Sequence, residues 1–227
     1  MTSILVMAAH PDDEVLGCGG YIAARANLGD EVSVAFVSDG VSSRRGRSAN
    51  SEIEARRHSA QMAAKVLGVK NLSFDDFPDN KLDSVPLLDI VQSIECVIDR
   101  VQPSIVLTHF GGDLNIDHQI VNQALLTACR PTVNQVVSQI MFFEVPSSTE
   151  WQVPVGGEAF APNWYEDISQ TLNLKLQALN MYSEELRDWP HPRSVEAVKH
   201  LAHWRGASCG VDAAEAFVFG RRKPVKV

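Results

Sequence analysis

The sequence predicts an α/β fold in which helices cover both faces of a mostly parallel sheet. Short apolar segments alternate along the chain with segments whose apolar residues recur every three or four positions. The short segments are continuously apolar, which is typical of strands buried on both faces. Strands separated by helices form parallel sheets, because each helix returns the chain to the edge from which the next strand starts.

The predicted elements follow one another in a regular alternation. The candidate strands cover residues 4–9, 31–37, 104–108 and 136–145. The candidate helices cover residues 15–28, 51–67, 87–101 and 168–186, and a further helical pattern starts near His118. Residues 38–50 and 146–162 show no periodicity, so we expect two long loops there, and loops of this length are often functional.

Length and composition favour one globular domain that spans residues 1–227. Hydrophobic residues make up 45% and charged residues 21% of the chain, an ordinary balance that argues against disorder. The formal net charge of -8 would repel a phosphate backbone, so we expect no nucleic-acid partner. The first apolar segment is too short for a signal peptide or a membrane span. The four cysteines form no C-x-x-C pair, and we therefore expect a cytoplasmic protein with reduced thiols.

Three glycines, Gly17, Gly19 and Gly20, lie early in the first predicted helix. They do not form the G-x-G-x-x-G pattern of a dinucleotide site, so we expect them to allow close packing of the helix on the sheet. Glu215, near the end of the chain, is expected to have a structural role.

The segment Ala9-His10-Pro11-Asp12-Asp13-Glu14 follows the first candidate strand. In an open parallel sheet, ligands bind beyond the carboxyl ends of the strands, so this segment is expected in the cleft. His10 and Asp13 can face one point as imidazole and carboxylate ligands of a divalent metal. Asp12 can lie beside the metal without binding it, and a free carboxylate there can accept a proton from water. The alternative is an ordinary first turn, which favours acids through the helix dipole alone.

A second polar cluster, residues 108–118 with the sequence THFGGDLNIDH, follows another buried candidate strand. His118 is the candidate third ligand, and Asp117 is expected to orient it through the other ring nitrogen. The alternative is a turn with an Asx cap and a surface histidine. Because polar clusters follow two strand ends, we favour a metal site.

The segment Ala-His-Pro-Asp-Asp-Glu after an N-terminal strand, with the later Asp117-His118 pair, closely resembles the PIG-L/LmbE-like N-deacetylase family. The resemblance covers most of the chain, including the Asp39-Gly40 and Pro78-Asp79 turns and the segment 214–217. It implies a Rossmann-like α/β fold and one zinc ion per chain, held by His10, Asp13 and His118. It also implies Asp12 as the general base and an N-acetylated amino sugar, or a conjugate of one, as the substrate.

Asn115 departs from the pattern of this family. Many members have a histidine at this position, which helps to stabilise the oxyanion, whereas an amide carries no positive charge and cannot release a proton. Either Asn115 is a weaker oxyanion donor or another histidine is supplied from elsewhere in the chain. His191, held between Pro190 and Pro192, is a candidate for that second role, and the alternative is that it is a surface turn residue.

Arg44 and Arg45 lie in the loop after the second candidate strand, near the expected opening of the cleft. They could hold a phosphate or a carboxylate of the substrate, and the alternative is a solvated loop.

The sequence thus predicts a zinc-dependent hydrolase that removes an N-acetyl group from an amino sugar or its conjugate, free or nucleotide-linked, and releases acetate and an amine. Two alternatives remain. One is a catalytically silent sugar or nucleotide binder, which we retain because Asn115 stands where many family members have a histidine. The other is a hydrolase of a larger amide. The expected partners are a small N-acetylated molecule and further copies of the chain, since we expect a homo-oligomer.

Overall fold

A computed structural model describes residues 1–43, 49–153 and 159–224 of the protein. The strands are β1 Ser3–Ala8, β2 Glu31–Ser38, β3 Asn71–Phe77, β4 Ile105–His109, β5 Gln139–Phe143, β6 Trp164–Asp167 and β7 Ala214–Arg222. The helices are α1 Asp13–Asn27, α2 Ala49–Leu67, α3 Leu87–Val101, α4 Ile116–Ala128, α5 Leu172–Asn180 and α6 Val195–Cys209, and short 3-10 helices cover Leu82–Ser84 and Thr149–Trp151. Within the described ranges, no helix is long and apolar enough to cross a membrane.

The seven strands form one sheet in the order β3-β2-β1-β4-β5-β7-β6. Neighbouring strands from β3 to β5 are parallel, whereas β7 runs antiparallel to β5 and β6 runs antiparallel to β7. The predicted α/β fold with a mostly parallel sheet is therefore confirmed. Because β1 lies between β2 and β4, the order of the strands reverses at β1, and this reversal opens a crevice at the carboxyl ends of β1 and β4.

The strand β1 is buried on both faces, as its continuous apolar sequence predicts. Ile4 and Val6 belong to a core that includes residues of α1, α2 and α5. Leu5 and Met7 point the other way, into a core that includes residues of α3 and α4. Two helical layers thus hold β1 from opposite sides, so the position of its carboxyl end is fixed.

Several parts of the fold differ from the sequence prediction. The strands β3, β6 and β7 were not predicted, because each is only partly buried and lacks a continuous apolar run. The helix α6 was given no range either. The helix expected over residues 168–186 is shorter, and α5 ends at Asn180. Turns follow over residues 181–185, and they bring Glu185 to Arg56 of α2, with 2.9 Å between the Glu185 carboxylate and Arg56 Nη2.

The helix α1 is interrupted at Cys18, and a buried carboxylate satisfies the backbone donors freed there. Glu215 on β7 accepts hydrogen bonds from the amides of Gly20 at 2.9 Å and Tyr21 at 2.7 Å. Lys175 of α5 donates to the same carboxylate at 2.6 Å, so the negative charge is paired inside the core. Glu215 therefore has the structural role expected from the sequence.

Close packing of α1 on the sheet depends on glycine, as predicted. A Cβ atom on Gly17 would lie 2.3 Å from the ring of Phe143, and one on Gly20 would lie 2.7 Å from Ile168. At Gly19 the nearest atom would be Lys175 Cγ, 3.3 Å away, so the buried lysine would have to shift slightly. The first and third glycines are thus required by the packing, and the second is constrained less.

We expect Gly17→Ala to destabilise the protein by about 1–3 kcal/mol, because the added methyl group overlaps an aromatic ring buried in the core. Gly19→Ala is the matched control in the same helix, and it should destabilise the protein less, since its methyl group meets Lys175 Cγ only at 3.3 Å and alanine favours helices over glycine. Urea unfolding followed by circular dichroism measures both. Equal midpoints for the two variants would contradict the packing argument.

Candidate metal centre

The site lies where β1 and β4 end side by side. The two strands are paired in parallel, with Val6 opposite Leu107. The chain after β1 supplies His10, Asp12 and Asp13, and the chain after β4 supplies Asp113 through His118. Because parallel strands end at the same edge of the sheet, two segments about 100 residues apart meet in one buried cluster.

Three buried side chains form a compact set of possible metal ligands. Asp13 Oδ2 lies 3.2 Å from His10 Nδ1 and 3.4 Å from His118 Nε2. Ligand atoms of all three residues lie within 4.8 Å of one another. Four ligands arranged tetrahedrally at about 2.0–2.1 Å from zinc are roughly 3.3 Å apart, so these separations fit a single ion.

Unsatisfied polar atoms also fit a cation at this position. Asp13 Oδ1 and His118 Nε2 are buried and have no hydrogen-bond partner among the described residues. Leaving such atoms unpaired costs free energy, and a charged group more than a neutral one. Imidazole and carboxylate donors are those that zinc commonly binds, so the residues fit this ion.

Carboxylates outside the trio contact the distal nitrogens of both histidines. His10 Nε2 lies 3.0 Å from Asp117 Oδ2 and 3.2 Å from Asp79 Oδ1. His118 Nδ1 lies 3.2 Å from Asp113 Oδ1. Contacts of this kind fix the tautomer and the ring orientation of a metal-binding histidine.

The expected pairing of Asp117 with His118 is therefore wrong. Asp117 turns toward the loop after β3, where its carboxylate accepts from the amides of Asn80 at 2.7 Å and Leu82 at 3.0 Å. The contact with His118 is made by Asp113, which is held by the hydroxyl groups of Ser148 and Thr149. Asp113 precedes α4 and Asp117 lies in its first turn, and their partners on distant loops decide which histidine each one reaches.

The surrounding carboxylates make the site favourable for positive charge. Burial disfavours the imidazolium of His10, but Asp117 and Asp13 outweigh this effect and raise the pKa of His10 to about 10. Burial likewise opposes the charge on His118, and Asp13 with Asp113 raises its pKa to about 9. Despite its burial, Asp13 has a pKa well below the usual value because of the histidines around it. The same carboxylates would stabilise a divalent cation bound at this position.

His109 is a further buried residue of the site, and the sequence prediction gave it no role. Its ring stacks on that of His118 with 3.9 Å between the centroids, and its Nε2 accepts from the amide of Ala9 at 2.8 Å. Burial and the neighbouring His118 lower its pKa well below the usual value. His109 therefore links the end of β4 to the end of β1 as a neutral ring. Its position directly after the predicted strand over residues 104–108 was the available signal.

Asp12 is held in an unusual backbone conformation next to the trio. Its backbone φ of 128° lies in a region that residues other than glycine rarely adopt. Its amide donates to Glu14 Oε2 at 3.0 Å, and Tyr182 donates to the other oxygen of Glu14 at 2.6 Å. Strained conformations of this kind concentrate at functional sites, where the surrounding structure imposes them.

Two arginines face the carboxylate of Asp12. Arg193 Nη1 donates to Asp12 Oδ2 at 3.2 Å, and Arg56 Nη1 lies 3.7 Å from the same oxygen. Burial raises the pKa of Asp12 to about 6, and the two guanidinium groups limit this rise. Arg193 was not predicted from the sequence, although it lies two residues beyond His191 in a segment that was already a candidate.

The remaining candidates have other contacts. Asn115 caps α4, since its Oδ1 accepts from the amide of Asp117 at 2.8 Å, and its Nδ2 donates to Asn80 Oδ1 at 3.3 Å. His191 Nδ1 accepts a hydrogen bond from the amide of Arg193 at 3.1 Å, and its ring packs edge-on against the ring of Trp151, outside the trio. Arg44 and Arg45 lie outside the described residues.

Comparison with known proteins finds a matching family model and related deacetylases. The family model described as PIG-L, GlcNAc-PI de-N-acetylase, matches residues 5–129. The deacetylase YaiS of Escherichia coli K12 is 30% identical over 185 residues, which cover 79% of this chain and 89% of that protein. Diacetylchitobiose deacetylase of Thermococcus kodakarensis is 27% identical over 226 residues, which cover 95% of this chain and 82% of that protein.

The fold is also shared with a solved structure of a hydratase, an enzyme of a different reaction class. The 4-carboxy-2-hydroxymuconate hydratase of Pseudomonas putida KT2440 superimposes with a TM-score of 0.75 at 23% identity, over 100% of this chain and 99% of that one. The family match spans more than half of the 227 residues, and a relative at 30% identity covers most of them. The chain therefore belongs to the PIG-L family, as the motif resemblance indicated.

Proposed function

We propose that the protein is a metal-dependent N-deacetylase that hydrolyses the N-acetyl group of an amino sugar or of its conjugate, with residues 1–227 acting as one domain. The observation that carries this proposal is the buried trio of His10, Asp13 and His118 beside a strained, arginine-bound Asp12. The deacetylase relatives support the reaction class.

His10, Asp13 and His118 would hold one zinc ion per chain. When bound there, zinc supplies a Lewis acid for the acetyl carbonyl and lowers the pKa of water. Asp117 and Asp113 orient the two imidazole rings, so the protein limits the freedom of two of the three ligands.

Asp12 acts as the general base. Water adds to the acetyl carbon while Asp12 accepts its proton, and the same carboxyl group returns this proton to the nitrogen as the C–N bond breaks. Acetate and a free amine result. Arg193 is a positioning residue, because its hydrogen bond to Asp12 Oδ2 and a second bond from its Nε to Ser147 Oγ at 2.7 Å fix the direction of the carboxylate.

Asn115 is the oxyanion donor in this proposal. Its Oδ1 is fixed by the helix cap, and its amide nitrogen is directed at Asn80 in the loop after β3. That nitrogen donates a long hydrogen bond of 3.3 Å to Asn80 Oδ1, and a developing oxyanion can take the place of this acceptor. His191 is less suited, because its Nδ1 accepts from the backbone and its ring packs on an aromatic neighbour.

A catalytically silent binder is the less favoured alternative. Asp12 is 2% exposed, has a strained backbone and is approached by two arginines, an arrangement that costs free energy of folding. A protein that only binds a sugar has no need to hold a carboxylate beside the metal ligands in this way. The arrangement therefore favours catalysis over binding alone.

Removal of a ligand should remove the metal. We expect the purified protein to contain about one zinc ion per chain, and His118→Ala and Asp13→Ala to lose it, because too few ligands remain for a closed coordination shell. His58→Ala, at an exposed histidine of α2, is the matched control and should keep its metal. Plasma emission spectroscopy measures the zinc content, and full occupancy in both ligand variants would refute the assignment.

Asp12→Asn should keep the metal and lose about 10²–10⁴ in kcat, the usual contribution of a positioned general base. Release of acetate from N-acetylglucosamine measures the rate, and zinc analysis of the same sample is the control. Loss of zinc in this variant would make Asp12 a ligand and exclude the proposed role.

Asn115→Ser should separate capping from catalysis. Serine caps helices about as well as asparagine, so stability should be kept, while loss of the amide donor should lower kcat by about 10²–10³. Asn115→Ala should show the same loss in kcat with a lower melting temperature, because the cap is lost as well. An unchanged kcat in the serine variant would exclude Asn115 as the oxyanion donor.

A further inference from the structure

The backbone of Asp12 is held by hydrogen bonds on both sides of its α-carbon. Its carbonyl oxygen accepts from the amides of Val15 at 3.1 Å and Leu16 at 3.0 Å, and these bonds begin the helix α1. Its own amide donates to Glu14 Oε2 at 3.0 Å. A negative φ would turn this amide away from Glu14 as long as the carbonyl oxygen keeps its place in the helix. The contact with Glu14 therefore favours the strained φ of 128°.

Glu14 is not an ordinary solvated acid of a first helical turn. It is 3% exposed, and its carboxyl group reaches back to the amide of the residue that begins the helix, as the acid of a capping box does. Its other oxygen, Oε1, accepts from Tyr182 Oη at 2.6 Å. Burial raises the pKa of Glu14 to about 8, and with or without a proton the group keeps one oxygen for the amide of Asp12.

Tyr182 holds Glu14 from a distant part of the chain. It is 2% exposed and lies in the turns that follow α5, 168 residues beyond Glu14. The same turns carry Glu185, which lies 2.9 Å from Arg56 Nη2, and Arg56 Nη1 lies 3.7 Å from Asp12 Oδ2. One segment thus reaches Asp12 by two routes, through its backbone amide and through its carboxylate.

We propose that Glu14 and Tyr182 are positioning residues for the general base, because their hydrogen bonds hold the peptide between Pro11 and Asp12 in the orientation that gives Asp12 its positive φ. Without an acceptor for its amide, this peptide can turn over and Asp12 relaxes to a negative φ, which displaces its carboxylate. A displacement of about 1 Å can lower a rate about 10²-fold. The inference rests on the proposed function for the role of Asp12 as the base.

Kinetics of substituted proteins test the two hydrogen bonds separately from side-chain volume. Acetate release from N-acetylglucosamine should show kcat lowered about tenfold in Tyr182→Phe and about 10²-fold in Glu14→Leu. KM and zinc content should stay unchanged, because both side chains are buried away from the substrate. Glu14→Gln should retain most of the parent rate, since its amide oxygen can accept from Asp12 and its nitrogen can donate to Tyr182.

Tyr21→Phe is the matched control for Tyr182→Phe. Tyr21 is also 2% exposed, and its ring packs against Phe217 in the same core. Its variant should keep the parent kcat.

The Asp12→Asn background distinguishes positioning from a general loss of structure. If Tyr182 acts through Asp12, Tyr182→Phe should cause little further loss of kcat in this background, whereas a structural role would give the same loss in both. A crystal structure of Glu14→Leu supplies a readout that does not depend on catalysis, and we expect it to show Asp12 at a negative φ. Tyr182→Phe removes only one hydroxyl group and keeps the proposal testable if Glu14→Leu does not fold.

Three results would overturn the proposal. The first is an unchanged kcat in Tyr182→Phe. The second is a full additional loss of kcat when this change is made in the Asp12→Asn background. The third is loss of zinc in Tyr182→Phe, which would show an effect on the metal ligands instead. Failure of the proposed function is distinct, because the parent protein would then release no acetate, and the φ of Asp12 in Glu14→Leu would still decide whether Glu14 holds this backbone.

Discussion

The carboxylate of Asp13 is the contact on which the site depends. Its Oδ2 accepts from the amide of His10 at 2.8 Å and lies against the rings of both His10 and His118. One oxygen therefore closes the turn after β1 and joins it to the segment after β4. The geometry is possible only because β1 and β4 are adjacent, which follows from the reversal of the strand order at β1. Sheet topology thus determines the spacing of these three side chains.

Around the trio, buried acidic and basic side chains are paired with one another. Asp12 and Glu185 are buried carboxylates, and Arg56 and Arg193 lie between them. A buried charge left alone would cost several kcal/mol, so each of these residues depends on the others. The turns that follow α5 place Glu185 against Arg56, at 2.9 Å. The network holds the C-terminal third of the chain against the turn that carries Asp12.

Sequence reasoning identified the parts of the fold and site that depend on local pattern. Continuous apolar runs identified β1, β2, β4 and β5, and polar residues at two strand ends located the trio. The strands β3, β6 and β7 lack that pattern, since a partly buried strand does not require a continuous apolar run. The pairing of Asp113 with His118 depends on hydroxyl groups 35 and 36 residues further along, at Ser148 and Thr149, so local spacing could not distinguish Asp113 from Asp117.

Arg193 could not have been predicted for a related reason. It lies 181 residues from its partner Asp12, and no periodicity joins two such positions. Two separate parts of the sequence therefore contribute residues to the site. The trio, Asp12 and both orienting acids lie within residues 5–129, the part that matches the family model. Ser148, Thr149 and Arg193 lie beyond it. The two hydroxyl groups donate to Asp113, and Arg193 donates to Asp12. Two distant parts of the chain thus form the site, and these hydrogen bonds hold them together.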